Sequence, residues 1–235
     1  MAASTGRING PGVVVIHIVL FGWYVFTVWR NCSVTITAKH PGAKTYGGRW
    51  KYLTFINLIL QTVYFGVCIL ADITQLWSSV FRHKESLVKV RDNFFALLAF
   101  PVGTFVVLSF WSIYAFNREL VYPTYLDSII PQWLNHAMHT VILPLLLIEL
   151  FTTHHRYPSR KKGILGLICF CCVYLIWIFW VRYASGIWVY PILSYLSPVG
   201  LVLFLVVAAL GLAPLYLLGE YLNTCLWGVR KKKKH

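Results

Sequence analysis

The chain has 235 residues, of which 58% are hydrophobic and 12% charged. That balance excludes an ordinary soluble domain, which runs nearer half apolar and a quarter charged. A formal net charge of +14 would suit a nucleic-acid binder, but such binding needs a contiguous basic face on a folded module, and here the charges fall in short segments between apolar runs.

The first apolar run covers 13–29. It is longer than the core of a signal peptide and no small-residue cleavage site follows it, so it reads as a retained membrane span. Five more runs follow at 52–73, 94–116, 129–151, 164–183 and 199–218. Each approaches the roughly 20 residues that cross a hydrocarbon layer of about 30 Å. The expected fold class is therefore all-α. It is a polytopic membrane bundle of six helices, one domain over 1–235, with a basic cytosolic tail over 219–235.

Six spans place both termini on one side. With that side in the cytosol, cytosolic segments hold 14 Lys and Arg against 7 on the other. Lysine and arginine gather in short cytosolic loops, so this orientation is expected. Lys232 and Lys233 stand four and three residues from the end, the spacing of dilysine retrieval to the endoplasmic reticulum. A polybasic tail resting on anionic lipid is the alternative, with the plasma membrane as second location. Cys68, Cys169, Cys171 and Cys172 lie inside spans as small hydrophobes, and Cys225 sits at a boundary open to palmitoylation. Asn31-Cys32-Ser33 matches a glycosylation pattern but abuts the first span, so it is expected to be unmodified.

Polar residues inside spans are costly and normally face the bundle interior. The second span carries Thr54, Asn57, Gln61, Cys68 and Asp72. At about 100° per residue these form a single stripe. The fourth span carries Asn135, His136, His139, Thr140 and Glu149, with Asn135 and His139 sharing a face at i,i+4. A metal centre is not expected. The pairs His136/His139 and His154/His155 lie on one helix, more than about 22 Å apart, and the other histidines are scattered.

Depth favours a different pairing. The second and fourth spans run in the same direction, with Trp50 and Trp133 as interfacial anchors at their starts. Thr54 then lies about 6 Å below one anchor and His139 about 9 Å below the other. A threonine hydroxyl needs a neighbouring base to become a nucleophile, and a neutral imidazole within reach supplies it. Asn57, Asn135 and His136 are candidates for orienting the imidazole or stabilising an oxyanion. No GxSxG elbow occurs, which excludes an α/β-hydrolase.

At these residues the sequence resembles the family of androgen-induced and androgen-dependent TFPI-regulating proteins. The resemblance rests on Gly48-Arg49-Trp50-Lys51-Tyr52-Leu53-Thr54-Phe55, Ala99-Phe100-Pro101-Val102, Tyr122-Pro123 and Trp133-Leu134-Asn135-His136-Ala137-Met138-His139-Thr140. Tyr157-Pro158-Ser159-Arg160, Trp188-Val189-Tyr190-Pro191 and Tyr216-Leu217-Leu218-Gly219-Glu220 extend it. It implies a membrane hydrolase that splits fatty acid esters of hydroxy fatty acids, taken from the bilayer, with Thr54 as nucleophile and His139 completing the pair. No cofactor is implied. Arg49, Lys51 and Arg182 are candidates for holding the substrate carboxylate, and a polar path from the external side is expected to admit the hydrolytic water. The competing readings are a non-catalytic membrane regulator or receptor and a small-molecule transporter. For the latter no inverted repeat or broken-helix pair is evident in the sequence.

Overall fold

The computed structural model describes residues 10–37, 45–76 and 84–232. Arg7, Lys39, Lys44 and Arg82 of the charge pattern, and the terminal Lys233 and Lys234, lie outside these residues. The described chain forms α1 (Pro11–Thr37), α2 (Leu53–Leu76), α3 (Lys84–Phe94), α4 (Phe100–Asn117), α5 (Gln132–His139), α6 (Ile142–Thr152), α7 (Arg160–Ser185), the single turn α8 (Ile192–Tyr195) and α9 (Pro198–Lys232). A π turn over Phe95–Ala99 joins α3 to α4, so one span runs over Glu85–Leu120. Five helical segments are long and apolar enough to cross a membrane, and the bent pair α5–α6 makes a sixth.

The expected fourth span is not one helix. Its two halves, Gln132–His139 and Ile142–Thr152, meet at an angle of 43°. Pro144 is the cause, because it has no N–H to return to the Thr140 carbonyl and its ring crowds the preceding turn. Inside a bilayer a freed carbonyl needs another donor. At the bend Trp111 Nε1–H donates to the neighbouring His139 carbonyl at 2.9 Å and lies 3.2 Å from the Thr140 side-chain oxygen Oγ1. Pro101 has a similar effect on the third span, where the backbone widens into the π turn just before it. There Gln61 Nε2 donates to the Ala99 carbonyl at 2.9 Å.

Burial sorts the helices. The most apolar window of the α3–α4 span is 61% buried and that of α2 39%, against 17% for α7 and 11% for α9. Val173, Ile176 and Val207 are exposed on α7 and α9, as lipid-facing surface should be. Glycines let the inner helices close up. A Cβ on Gly103 of α4 would come within 2.6 Å of Leu146 Cδ1 and 2.8 Å of Gln61 Nε2, and one on Gly163 of α7 within 2.4 Å of Tyr216.

Contacts define two ends of the bundle. The proximal end gathers the start of α1, the end of α2, α3, the end of α6 and the last third of α9, through His17, Asp72, Asp92, Glu149 and Asn223. The distal end gathers the start of α2, the end of α4, α5 and the end of α7. Thr54 and His139 lie there.

Candidate active site

Thr54 is the second residue of α2, in the turn whose main-chain N–H groups have no intrahelical acceptor. The turn before it is set by Gly47 and Gly48, whose positive φ angles of 77° and 50° suit residues without a Cβ. From this position the Thr54 hydroxyl reaches His139 Nε2 at 3.2 Å. His139 is the last residue of α5. The proline-induced break just beyond it ends the helix there.

The imidazole is fixed on its other edge. His139 Nδ1 lies 3.0 Å from the Asn135 carbonyl and 2.7 Å from Asn135 Oδ1. A backbone carbonyl only accepts, so Nδ1 carries the proton and Nε2 is left with a lone pair facing Thr54. Phe110 stacks on the ring, with centroids 3.6 Å apart and planes 13° apart. Trp111 holds the His139 carbonyl. The ring therefore has little freedom to turn, and the hydroxyl donates into a basic nitrogen. This is the arrangement that general-base activation of a hydroxyl requires.

The other candidates take separate places. Asn57 is fully buried one turn below Thr54. Its Oδ1 accepts from Gln61 Nε2 at 3.0 Å, while its Nδ2 has no acceptor among the described residues. His136 turns away from Thr54, with Nδ1 3.0 Å from Thr140 Oγ1. Arg49 lies 5.5 Å over the ring of Phe55, the neighbour of Thr54. Lys51 is buried, hydrogen-bonds to Thr45 Oγ1, and its ammonium is held below the ordinary lysine range by desolvation. Arg182 sits apart, 5.3 Å over the Trp188 ring.

Tyr122 and Tyr190, which occupy matching Val-Tyr-Pro segments in the sequence, both turn in towards the site. Tyr122 packs edge-on against Phe110 at 6.2 Å. Tyr190 Oη accepts from the Leu53 N–H at 2.9 Å and lies 3.1 Å from Tyr174 Oη. A cavity of about 450 Å³ reaches Asn135, the residue that holds His139, though neither Thr54 nor His139 lines it. Arg118, Asp127, Gln132, Asn135 and His136 give it a polar wall. Arg118, which the sequence did not single out, pairs there with Asp127 at 2.8 Å.

The polar stripe of α2 thus divides in two. Its distal part, Thr54 to Gln61, serves the hydroxyl–imidazole pair. Its proximal part, Cys68 and Asp72, joins a second buried cluster with Glu149, His155 and, unexpectedly, His17. His17 is an ionisable residue inside the first apolar run, and that position alone is the signal that could have found it.

The sequence profile of the FAR-17a/AIG1-like protein family matches residues 13–224. The chain is 44% identical over 209 residues to androgen-induced gene 1 protein of Homo sapiens, covering 85% of this chain and 88% of that one. It is 40% identical over 222 residues to androgen-dependent TFPI-regulating protein of Homo sapiens, covering 93% and 96%. For the Mus musculus form of the latter the identity is 39% over 220 residues, covering 93% and 94%. No solved structure matches the chain.

Proposed function

The chain belongs to the FAR-17a/AIG1-like family, and from that membership together with the Thr54–His139 pair we propose that it is an intramembrane hydrolase of fatty acid esters of hydroxy fatty acids. The observation that carries the reading is the 3.2 Å contact between the Thr54 hydroxyl and a His139 nitrogen whose lone pair is assigned by Asn135. Thr54 Oγ1 attacks the ester carbonyl while His139 Nε2 takes its proton. The imidazolium then gives that proton to the departing hydroxy-acid oxygen, leaving an acyl-threonine. Water attacks the acyl group, His139 Nε2 takes the water's proton, and the fatty acid leaves as Thr54 Oγ1 regains a proton. Asn57 Nδ2, which has no acceptor among the described residues, and the Thr54 N–H at the start of α2 are the donors for the oxyanion. The polar cavity beside Asn135 supplies the water, so the acyl chains stay in lipid while deacylation is fed from the distal side.

A fluorophosphonate probe tests the nucleophile directly. It should phosphonylate wild-type protein on the peptide containing Thr54 and leave Thr54→Ala unlabelled. Labelling that survives in Thr54→Ala would reject the assignment. A wild type inert to both probe and ester would favour a non-catalytic membrane regulator, the role suggested by the name of the TFPI-regulating relatives.

Of the three basic candidates, Arg49 is placed best for the substrate carboxylate, because it lies against the residue next to the nucleophile. Arg49→Gln is expected to raise KM for a free-acid ester about tenfold, the scale of one charge-assisted contact of ~1.5 kcal/mol, with KM for its methyl ester unchanged. Arg182→Gln should leave both values within twofold. Equal effects of Arg49→Gln on acid and methyl ester would place the carboxylate elsewhere.

A further inference from the structure

The proximal cluster is built around Glu149, which is fully buried. Its Oε2 lies 2.8 Å from His17 Nε2. Its Oε1 accepts from Tyr64 Oη at 2.7 Å and lies 4.0 Å from Cys68 Sγ and 3.3 Å from His155 Nε2. Both histidines turn the same nitrogen to this carboxylate, and both give the other nitrogen to an aspartate. His17 Nδ1 is 2.5 Å from Asp72 Oδ2, and His155 Nδ1 is 3.3 Å from Asp92 Oδ1. Phe95 stacks on His155 with centroids 3.9 Å apart. Arg91 holds Asp92 at 2.7 Å.

A carboxylate behind Nδ1 fixes the tautomer that leaves an Nε2 lone pair, the outer-shell pattern of metal-binding histidines. Two such lone pairs facing one carboxylate repel it unless positive charge lies between them. His155 Nε2 is buried and makes no hydrogen bond despite its approach to Glu149. The positive charge between the imidazoles and Glu149 is a proton or a bound divalent cation.

We propose that His17 Nε2, Cys68 Sγ, the Glu149 carboxylate and His155 Nε2 bind one divalent transition-metal ion, and that the ion is zinc. Two imidazoles, a sulfur and a carboxylate form a borderline-soft set suited to zinc, whereas calcium and magnesium take mainly oxygen ligands. The donor atoms of His17, Cys68 and Glu149 lie within 4.8 Å of one another. Tetrahedral zinc with bonds of about 2.0–2.3 Å spaces its ligands about 3.3–3.8 Å apart, so these three donors shift by about 1 Å to close around it, while His155 Nε2, 3.3 Å from Glu149 Oε1 but outside that group, swings further in as the fourth. Binding displaces the proton between His17 Nε2 and Glu149 Oε2 and the Cys68 thiol proton, both released to water. Four protein ligands make a closed, structural site. It ties α1, α2 and α6 together and holds the segment after α6, where Asn223 of α9 already grips the His155 backbone at 2.8 Å. Cys68 is fourteen residues below Thr54 on α2, or about 21 Å at 1.5 Å per residue, so the ion takes no part in ester chemistry.

The test is the metal content of the full chain, purified in detergent without a polyhistidine tag or chelator and confirmed as folded by cooperative thermal unfolding. About one zinc per chain is expected by plasma mass spectrometry. Protein stripped by chelator should take up Co²⁺ with the near-ultraviolet thiolate-to-cobalt band. Cys68→Ser should lose that band, and Cys171→Ser should keep it. Asp92→Asn, which touches only the outer shell, should weaken zinc about 10- to 100-fold. Folded wild type with no bound zinc and no cobalt spectrum would overturn the proposal and leave a proton as the charge between His17 and Glu149. The readout does not involve Thr54, so it stands or falls apart from the hydrolase reading.

Discussion

Thr54→Ala and His139→Ala are each expected to lower kcat/KM for a hydroxy-fatty-acid ester by about 10³-fold or more, and the double variant to lose little beyond either single one. Residues that act as one unit in attack show this non-additivity, because removing either partner removes the step. The geometry gives the reason. The hydroxyl is activated only through its 3.2 Å contact with His139 Nε2, and that nitrogen makes no other hydrogen bond among the described residues. Thr54→Ser keeps the hydroxyl and should retain activity within about tenfold, the loss reflecting the freer χ1 of serine. Fatty acid release followed by mass spectrometry over a range of substrate concentrations, alongside thermal unfolding of each variant, separates lost chemistry from lost fold. Additive losses, with the double variant falling by the product of the singles, would show that threonine and histidine contribute separately. The one-unit mechanism would then be wrong.

The reach and the limit of the sequence are both visible at this site. Long apolar runs fix the helical bundle because hydrocarbon thickness leaves few alternatives, and ionisable residues inside those runs announce themselves as inward-facing. Thr54 and His139 could be placed at similar depth from Trp50 and Trp133, since rise per residue is nearly constant. What depth could not give was the break after His139. Pro144 marks it, but a proline in a span need not break it, and the donor that meets the bend at the His139 carbonyl, Trp111, lies on another helix. Phe110, stacked on His139, was invisible for the same reason. The proximal cluster shows the sharper limit. Spacing along one helix cannot show His17, which arrives from α1 between Asp72 of α2 and Glu149 of α6. Helix order in space is set by packing of surfaces such as Gly103 against Leu146 and Gln61, and no periodicity in a single span encodes it.

Glu149→Ala is expected to be the most destabilising single substitution in the bundle, costing about 3–5 kcal/mol, the range for removing one member of a buried ionic network. The side chain is the common partner of His17, Tyr64 and His155. Its loss leaves all three facing a cavity in a region where water is scarce. For a chain of this length each kcal/mol moves the midpoint by about 2–4 °C, so unfolding in detergent should shift down by about 6–20 °C. Glu149→Gln is the sharper comparison. It keeps the volume and the bond from Tyr64, but a neutral amide cannot match the carboxylate's charge against the positive charge held between His17 and His155. It should therefore recover only part of the loss. The exposed Arg118–Asp127 pair provides the contrast, and Asp127→Asn should cost less than about 1 kcal/mol. A Glu149→Ala protein that melts within 2 °C of wild type would mean that the proximal cluster is hydrated and relaxed, with its buried charges contributing little to holding α1 against α2 and α6.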